Sequence, residues 1–355
     1  MDERLQPLLE ANPGWLDRHA PLGDVVVASR VRLARNVADR PFPQQLGQEE
    51  AEGLQQKAEQ ALGQNQHGDF LAPQSLTATD AEFLLERSLV TRDLLACDRP
   101  TRVWFGPTGD RGVMLLEEDH FRIQGFAPGL DLERALELAQ QQERNLRGAF
   151  PFAVSDRYGF LTSCPSNTGS GMRASLMLHL PALARAKAPV QRALHAARSA
   201  SLAVRGVHGE GSQALGFFYQ ISNQRTLGET MAAQMAVVAE YGREVVAFET
   251  TTRERFGTNP ETRQLLQDDA GKAVERLAKV RELTSAQALE ALSTIRLATL
   301  LEMDCGVKQD AFGLMCLCFR LQPGHLQAQL GCEMSPEDRD LARASWLRSE
   351  LGLEA

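Results

Sequence analysis

Along the first two-thirds of the chain, apolar residues come in short β-branched runs broken by turns and single amphipathic stretches; over the last third they recur at helical spacing. The change falls near residues 257–262. It predicts a short helical segment at 1–23, an α+β region at 24–257 and an all-helical C-terminal region at 258–355. Leu5, Leu8, Leu9, Trp15 and Leu16 predict a helix closing in the turn at 21–23. The run at 25–28 predicts a strand that carries Ser29, Arg30, Val31 and Arg32 at its end. Helices over 48–63 and 80–96 precede strands at 101–105 and 112–116, the second running into the segment 117–124. Leu132, Ala135, Leu136, Leu138 and Ala139 predict a helix over 131–147. Strands recur at 158–163, 174–180, 202–207 and 216–221, with a helix over 187–200, and a long helix starts near Thr230. The strands follow no regular βαβ rhythm, so the expected class is α+β: a mostly antiparallel sheet flanked by helices, then an all-helical module.

Composition narrows the setting. With 43% hydrophobic and 24% charged residues in 355, the chain reads as an ordinary globular protein. A net charge of −8, from 38 basic and 46 acidic residues, argues against general nucleic-acid binding. No apolar run approaches a membrane span, and the N-terminus lacks a signal-peptide core, so no membrane partner and a cytoplasmic location are expected. Six scattered cysteines show no zinc or disulfide spacing, which suits a reducing compartment.

The candidate chemistry gathers in a few segments. Gly169 and Gly171 predict a loop in which backbone comes close to a ligand, with Cys164 and Arg173 at its ends. Arg30, Arg32, Arg122, Arg173 and Arg205 lie at strand ends or beside small residues, and their planar forks suit bidentate contact with phosphate oxygens. Carboxylates at 117–119 and at Glu210 would repel phosphate unless the phosphoryl acceptor is cationic. A guanidinium can be gripped from two sides by carboxylates, one of which receives its proton, and a thiolate at Cys164 is favoured near positive charge. No P-loop signature and no protein-kinase catalytic motifs occur, so nucleotide handling would rest on the arginines and a magnesium ion bridging the phosphates, with no metal ligands from the protein.

The segments SRVRLARN (29–36), EEDHFRIQ (117–124), CPSNTGSGMRA (164–174), RGVHGEGS (205–212) and ISNQ (221–224) resemble those of the guanidino (phosphagen) kinases, and within them the bacterial protein arginine kinases of the McsB type. The resemblance implies Glu118 and Glu210 as catalytic carboxylates and Cys164 as the thiol beside the guanidinium. It implies ATP and Mg2+ bound along Ser29, Arg30, Val31 and Arg32, at Arg122, along Arg173, Ala174, Ser175, Leu176 and Met177, and along Arg205, Gly206, Val207, His208 and Gly209. Ser88 stands where the family usually carries a nucleotide-contacting His, a difference that bears on adenine stacking and ATP affinity.

Three activities are consistent with these residues: a kinase of arginine side chains in proteins, a phosphagen kinase of free arginine or a similar metabolite, and a catalytically silent phosphoarginine-binding regulator. Only 28 residues precede Ser29, fewer than the helical N-terminal domain that encloses the substrate in small-molecule relatives, which favours an open site and a polypeptide substrate. Arg339, Asp340, Arg343 and Ala344 resemble the RDxxRA motif of protein arginine kinases, and spacing four apart lets both arginines share a helix face toward a regulatory phosphoarginine. The presence of both carboxylates, the thiol and all the arginines counts against the silent regulator. The resemblance further implies a homodimer, arginine-containing protein substrates, an activator protein, a role in the stress response and a Clp-type AAA+ protease that receives the marked proteins.

Overall fold

The computed structural model describes residues 1–63, 67–186, 193, 197, 201–206 and 214–354. Its strands are β1 (Val26–Arg35), β2 (Asp69–Leu71), β3 (Arg102–Phe105), β4 (Arg111–Leu115), β5 (Phe121–Pro128), β6 (Val154–Ser155), β7 (Gly159–Phe160), β8 (Met172–His179), β9 (Leu202–Gly206) and β10 (Phe218–Asn223). Eight of them form one sheet in the order β2-β3-β4-β5-β1-β8-β10-β9, antiparallel throughout, while β6 and β7 pair separately. The helices are α1 (Gln6–Glu10), α2 (Gln48–Gly63), α3 (Ala78–Glu86), α4 (Arg92–Leu95), α5 (Leu132–Ala149), α6 (Pro181–Arg185), α7 (Met231–Thr258), α8 (Pro260–Lys279), α9 (Ser285–Thr299), α10 (Ala311–Arg320), α11 (Pro323–Leu330) and α12 (Pro336–Leu351). The α+β class expected from the sequence is the one found.

Strand alternation gives the sheet two different faces. Val31 and Leu33 of β1, Ile123 of β5 and Ala174 and Leu176 of β8 join α2, α5 and α7 in the largest apolar core. Gly125 lets α5 lie close: a Cβ there would sit 2.2 Å from the Ala135 carbonyl oxygen. The intervening residues point the other way. Toward one end that second face is covered by the C-terminal helices, through Ala28, Phe126 and Phe218 packed with Leu289, Leu314 and Phe319. Over the strands β3 and β4 it is covered by α1, α3 and Ala328 of α11. Between the two coverings lies the part of the face that carries the arginines.

Several elements differ from expectation. The helix predicted over 1–23 is a 3-10 turn at Glu3–Leu5 followed by α1. Pro13 and Gly14 stop it, and Gly14 instead donates its N–H to the Thr108 carbonyl at 3.0 Å, while Trp15 and Leu16 are still buried. The helix predicted over 80–96 is split into α3 and α4 by Ser88, whose φ is +59°. The strand predicted at 158–163 reduces to the two residues of β7. The helix over 187–200 falls outside the described residues except at positions 193 and 197. At the junction near 257–262, α7 ends at Thr258 and the Asn259 side chain caps α8 by accepting the Thr262 N–H at 3.0 Å, with Pro260 as the first helical residue. No helix among the described residues is long and apolar enough to cross a membrane.

Candidate active site

Register gathers the arginines. Arg32 of β1 faces Arg173 of β8, and Arg30 faces Ser175. On the other side Arg30 faces Phe126 and Arg32 faces Gln124, which puts Arg122, two residues earlier on β5, on the same face. Ser175 in turn faces Ser222 of β10, and Gln220 faces Arg205 of β9. The result is a 130 Å³ cavity lined by Arg30, Arg32, Arg122, Arg173, Arg205, Ser175, Gln220 and Ser222. Five cations from four strands converge there.

The arginines are only partly matched by the protein's own acceptors. Arg30 donates from Nη2 to Gln124 Oε1 at 2.6 Å, and Arg32 from Nη2 to Asn167 Oδ1 at 3.0 Å. Arg122 is paired with Glu117 at 2.5 Å. The Nε atoms of Arg30, Arg122 and Arg173 are buried with no hydrogen-bond partner among the described residues. Burial first, and then the neighbouring Arg122, push Arg30 and Arg32 down to about 9. Arg173 is lowered by burial and by Arg205 and Arg122. All three stay charged at neutral pH, held against one another at an energetic penalty that a polyanion would relieve.

Next to the cavity the hairpin between β4 and β5 presents three acids with different surroundings. Glu117 is buried, bonded to Arg122, to the Thr91 hydroxyl and, through its carbonyl, to Arg99 at 2.8 Å. Asp119 is buried and accepts from Asn36 Nδ2 and from the Ser163 N–H, both at 2.7 Å. Glu118 alone is half-buried, and no described residue donates to its carboxylate. Desolvation first, and then the charge of Asp119, raise its pKa. Its carbonyl accepts from Ser163 Oγ at 2.7 Å and Gln44 Nε2 at 2.9 Å, so the Glu118 turn and the Cys164 loop are fixed to each other. Cys164 is half-buried, with Sγ 3.0 Å from Ser166 Oγ and its carbonyl accepting from Thr162 Oγ1 at 2.8 Å.

The loop glycines have a different task from the one expected. A Cβ at Gly169, where φ is +116°, would sit 2.2 Å from the Thr226 carbonyl, and one at Gly171 would sit 2.5 Å from Arg35 Nη1. The close approach is thus to the protein itself. Arg35 is buried, salt-bridged to Glu143 at 2.7 Å and stacked 3.5 Å over the Phe160 ring, and it braces the loop from beneath. Other expected contacts also move. Val31, Ala174 and Leu176 point into the core on the opposite face, because they alternate with the arginines. Ser29 is buried and bridges the Gly129 carbonyl (2.7 Å) and the Asp131 N–H (2.9 Å). Met177 packs on the apolar cluster of the C-terminal helices. Gly206 ends β9, and Val207, His208, Gly209 and Glu210 lie outside the described residues. Gln124, Asn167, Gln220 and Ser222 were not anticipated, and the alternation of β5 and β10 was the signal available for three of them.

On α12 the two arginines of the motif differ. Arg343 is turned inward, 1% exposed, donating from Nε to the Leu321 carbonyl at 3.0 Å and from Nη1 to the Leu283 carbonyl at 2.7 Å, and paired with Asp340. Ala344 is buried beside it, and Arg339 is half-buried. The shared face expected from the spacing is therefore not presented equally, because Arg343 holds three segments of the helical region together.

Residues 50–252 match the ATP:guanido phosphotransferase C-terminal catalytic domain, and residues 263–355 match the protein-arginine kinase McsB C-terminal domain. A protein-arginine kinase of Syntrophomonas wolfei is 36% identical over 347 residues, 95% of this chain and 94% of its own. One of Geobacillus stearothermophilus is 36% identical over 349 residues, 96% and 94% of the two chains. Among solved structures, the duplicated taurocyamine kinase of Schistosoma mansoni with bound transition state analog components aligns with a TM-score of 0.58 at 26% identity, over 68% of this chain and 35% of that one. Lombricine kinase aligns with a TM-score of 0.55 at 18% identity, over 68% and 70%, a likeness of fold alone.

Proposed function

The chain belongs to the ATP:guanido phosphotransferases, in the branch of the protein-arginine kinases, and from that premise we propose that it transfers the γ-phosphoryl of ATP to arginine side chains of proteins. The observation that carries the reading is the ring of five arginines on one sheet face, with three buried Nε atoms unmatched by described residues, beside the one carboxylate of its hairpin to which no described residue donates. Such a cavity fits a polyphosphate, and the acid beside it fits a cationic acceptor.

In this reading Arg30, Arg32, Arg122, Arg173 and Arg205 hold phosphate oxygens, and Glu117 aims Arg122 from behind. Mg-ATP, when bound, supplies the phosphoryl group, its magnesium held through the phosphates. Glu118 grips the guanidinium and takes up the proton that leaves the attacking nitrogen. Glu210 grips it from the other side, an assignment resting on the motif resemblance. Cys164 lies alongside, tied to the Glu118 turn through Ser163. Catalysis is then chiefly alignment and charge stabilisation. Residues 24–257 form the catalytic part and 258–355 a helical part in which Arg339 and Asp340 receive a regulatory phosphoarginine. Homodimerisation, an activator, delivery to a Clp-type AAA+ protease, a stress-response role and a cytoplasmic setting rest on the resemblance.

The test offers Mg-ATP with either free arginine or an unfolded protein and looks for acid-labile phosphate on each. Phosphate on the protein is expected. Phosphate on free arginine alone would favour a phosphagen kinase, and phosphate on neither a silent regulator.

A further inference from the structure

The carboxamide of Gln124 uses both of its ends. It is fully buried on β5, between Arg32 and Gly112 in register. Oε1 accepts from Arg30 Nη2 at 2.6 Å, and Nε2 donates to the Ser88 carbonyl at 2.8 Å. A carbonyl can only accept, so the amide nitrogen must face Ser88 and the oxygen must face Arg30. One side chain thus sets the direction in which a cavity arginine points.

The Ser88 carbonyl is itself fixed from the far side. Ser88 sits at φ +59° just after α3, where Ser88 N–H donates to the Leu85 carbonyl and Leu89 N–H to the Leu84 carbonyl, both at 2.9 Å. The preceding Arg87 is buried and donates from Nη2 to the carbonyls of Leu8 and Ala11 and from Nε to His325 Nε2 at 3.0 Å. Before it, Glu86 accepts the Gly324 N–H (2.7 Å), the His325 N–H (2.9 Å) and His325 Nδ1 (2.6 Å). His325 therefore carries its proton on Nδ1 and accepts at Nε2, a neutral ring with both nitrogens committed. Burial holds its pKa low in agreement with that tautomer. Gly324 fits against the Phe83 backbone, where a Cβ would come within 2.3 Å of the Phe83 nitrogen.

We infer that Gln124 is a positioning residue for nucleotide binding, and that its hold on Arg30 is set by helix α11 of the C-terminal region through His325, Glu86, Arg87 and the Ser88 carbonyl. This rests on the reading of the cavity as the ATP phosphate site. It also gives position 88 a role: its backbone carbonyl orients the residue that orients Arg30. Displacing α11 from Glu86 moves the Ser88 turn, frees the amide end of Gln124 and releases the aim of Arg30.

The test uses the full chain and four proteins: Gln124→Leu, Gln124→Glu, His325→Phe and the Gln124→Leu/His325→Phe double variant. Mg-ADP affinity is measured by calorimetry, with kcat and KM for ATP on an unfolded protein substrate and a thermal melt to establish folding. Gln124→Leu is expected to weaken Mg-ADP and raise the KM for ATP about tenfold, with kcat changed less than about threefold. Gln124→Glu, of the same size, is expected to weaken nucleotide binding further by neutralising Arg30, and it provides the reading should the Leu variant not fold. His325→Phe should act in the same direction, and the double variant should bind no more weakly than Gln124→Leu alone. Nucleotide affinity within about twofold of wild type in both Gln124 variants would overturn the positioning role, and additive losses would overturn the link to α11. A wild-type protein that binds Mg-ADP yet phosphorylates nothing would sink the kinase reading and leave this test standing.

Discussion

At residues 117–119 three acids in a row do three jobs, and the division is a matter of partners. Glu117 is consumed by Arg122 and Thr91, and Asp119 by Asn36 and the Ser163 N–H. Glu118 keeps a carboxylate that no described donor reaches, so it is the acid available to a substrate. Desolvation raises its pKa, and a base works only while unprotonated, so the acid limb of kcat/KM is expected at a pH above the ordinary glutamate range of about 4.3. Glu118→Gln should lower kcat by about 10²- to 10⁴-fold while leaving Mg-ADP affinity within a few-fold. A pH–rate profile and calorimetry check both; an unchanged kcat would remove Glu118 from the chemistry. Nothing in the string EED distinguishes the three, and motif resemblance alone selected the middle one. The partners that separate them come from positions 36, 91, 122 and 163, which the chain brings together only once folded. The same holds for Gly169 and Gly171: a Gly-rich loop is visible in sequence, but that it packs on Thr226 and Arg35 is not.

At the scale of elements, the site is a consequence of register. β1 runs from Val26 to Arg35, well past the predicted 25–28, because Arg30 and Arg32 interrupt the apolar run while still alternating with Val31 and Leu33. A strand with arginines on one face and core on the other reads as two short pieces in sequence. The split between α3 and α4 was equally hidden, since the left-handed turn is made by Ser88 and no glycine marks it. Strand alternation puts α5 on the face opposite the arginines, and Gly125 sets the distance at which that helix seats on the sheet. Gly125→Val would force a side chain against the Ala135 carbonyl and the Ala139 nitrogen, with Cβ contacts of 2.2 and 2.8 Å. Overpacking of this kind is expected to lower stability by about 1–3 kcal/mol. As β5 shifts, Arg122 and Gln124 shift with it, so nucleotide affinity should fall together with the melting temperature. Denaturant melts and Mg-ADP titration of the variant measure the pair. A destabilised protein with wild-type affinity would show that the register of β5 does not govern the cavity.

Across the whole molecule, the change from strand to helix periodicity marked where the helical region starts, yet gave no sign that this region packs on the sheet face that carries the arginines. The apolar positions of α9 and α10 look alike from every side in sequence, so their partners were not legible. Besides the Arg87 and Glu86 contacts with α11, a second buried cation joins the two parts at the other end of the sheet. Arg296 of α9, 2% exposed, donates from Nε to the Ala311 carbonyl at 3.0 Å and from Nη1 to the Asp24 carbonyl at 3.0 Å and His179 Nδ1 at 2.8 Å. His179, the last residue of β8, passes the contact on: its Nε2 lies 2.9 Å from Ser293 Oγ, which donates to the Gly216 carbonyl at 2.7 Å. The ring therefore accepts at Nδ1 and donates at Nε2 as a neutral imidazole, consistent with a pKa held well below the usual value by burial and by Arg296. Arg296→Met would leave His179 Nδ1 buried without its donor, at roughly 1–3 kcal/mol before relaxation, and would remove the bonds to the part-buried carbonyls of Ala311 and Asp24. A net loss of about 2–4 kcal/mol is expected, lowering the melting temperature by roughly 3–5 °C. Since the apolar cluster of Trp15, Phe126 and Phe218 with Leu289, Leu314 and Phe319 still spans both parts, the sheet and the helical region of the variant should melt in one transition, with calorimetric and van't Hoff enthalpies in agreement. A variant whose helical region melts first while the sheet transition stays at the wild-type temperature would show that the apolar cluster alone does not couple the two parts, and an unchanged melting temperature would show that Arg296 adds nothing to their contact.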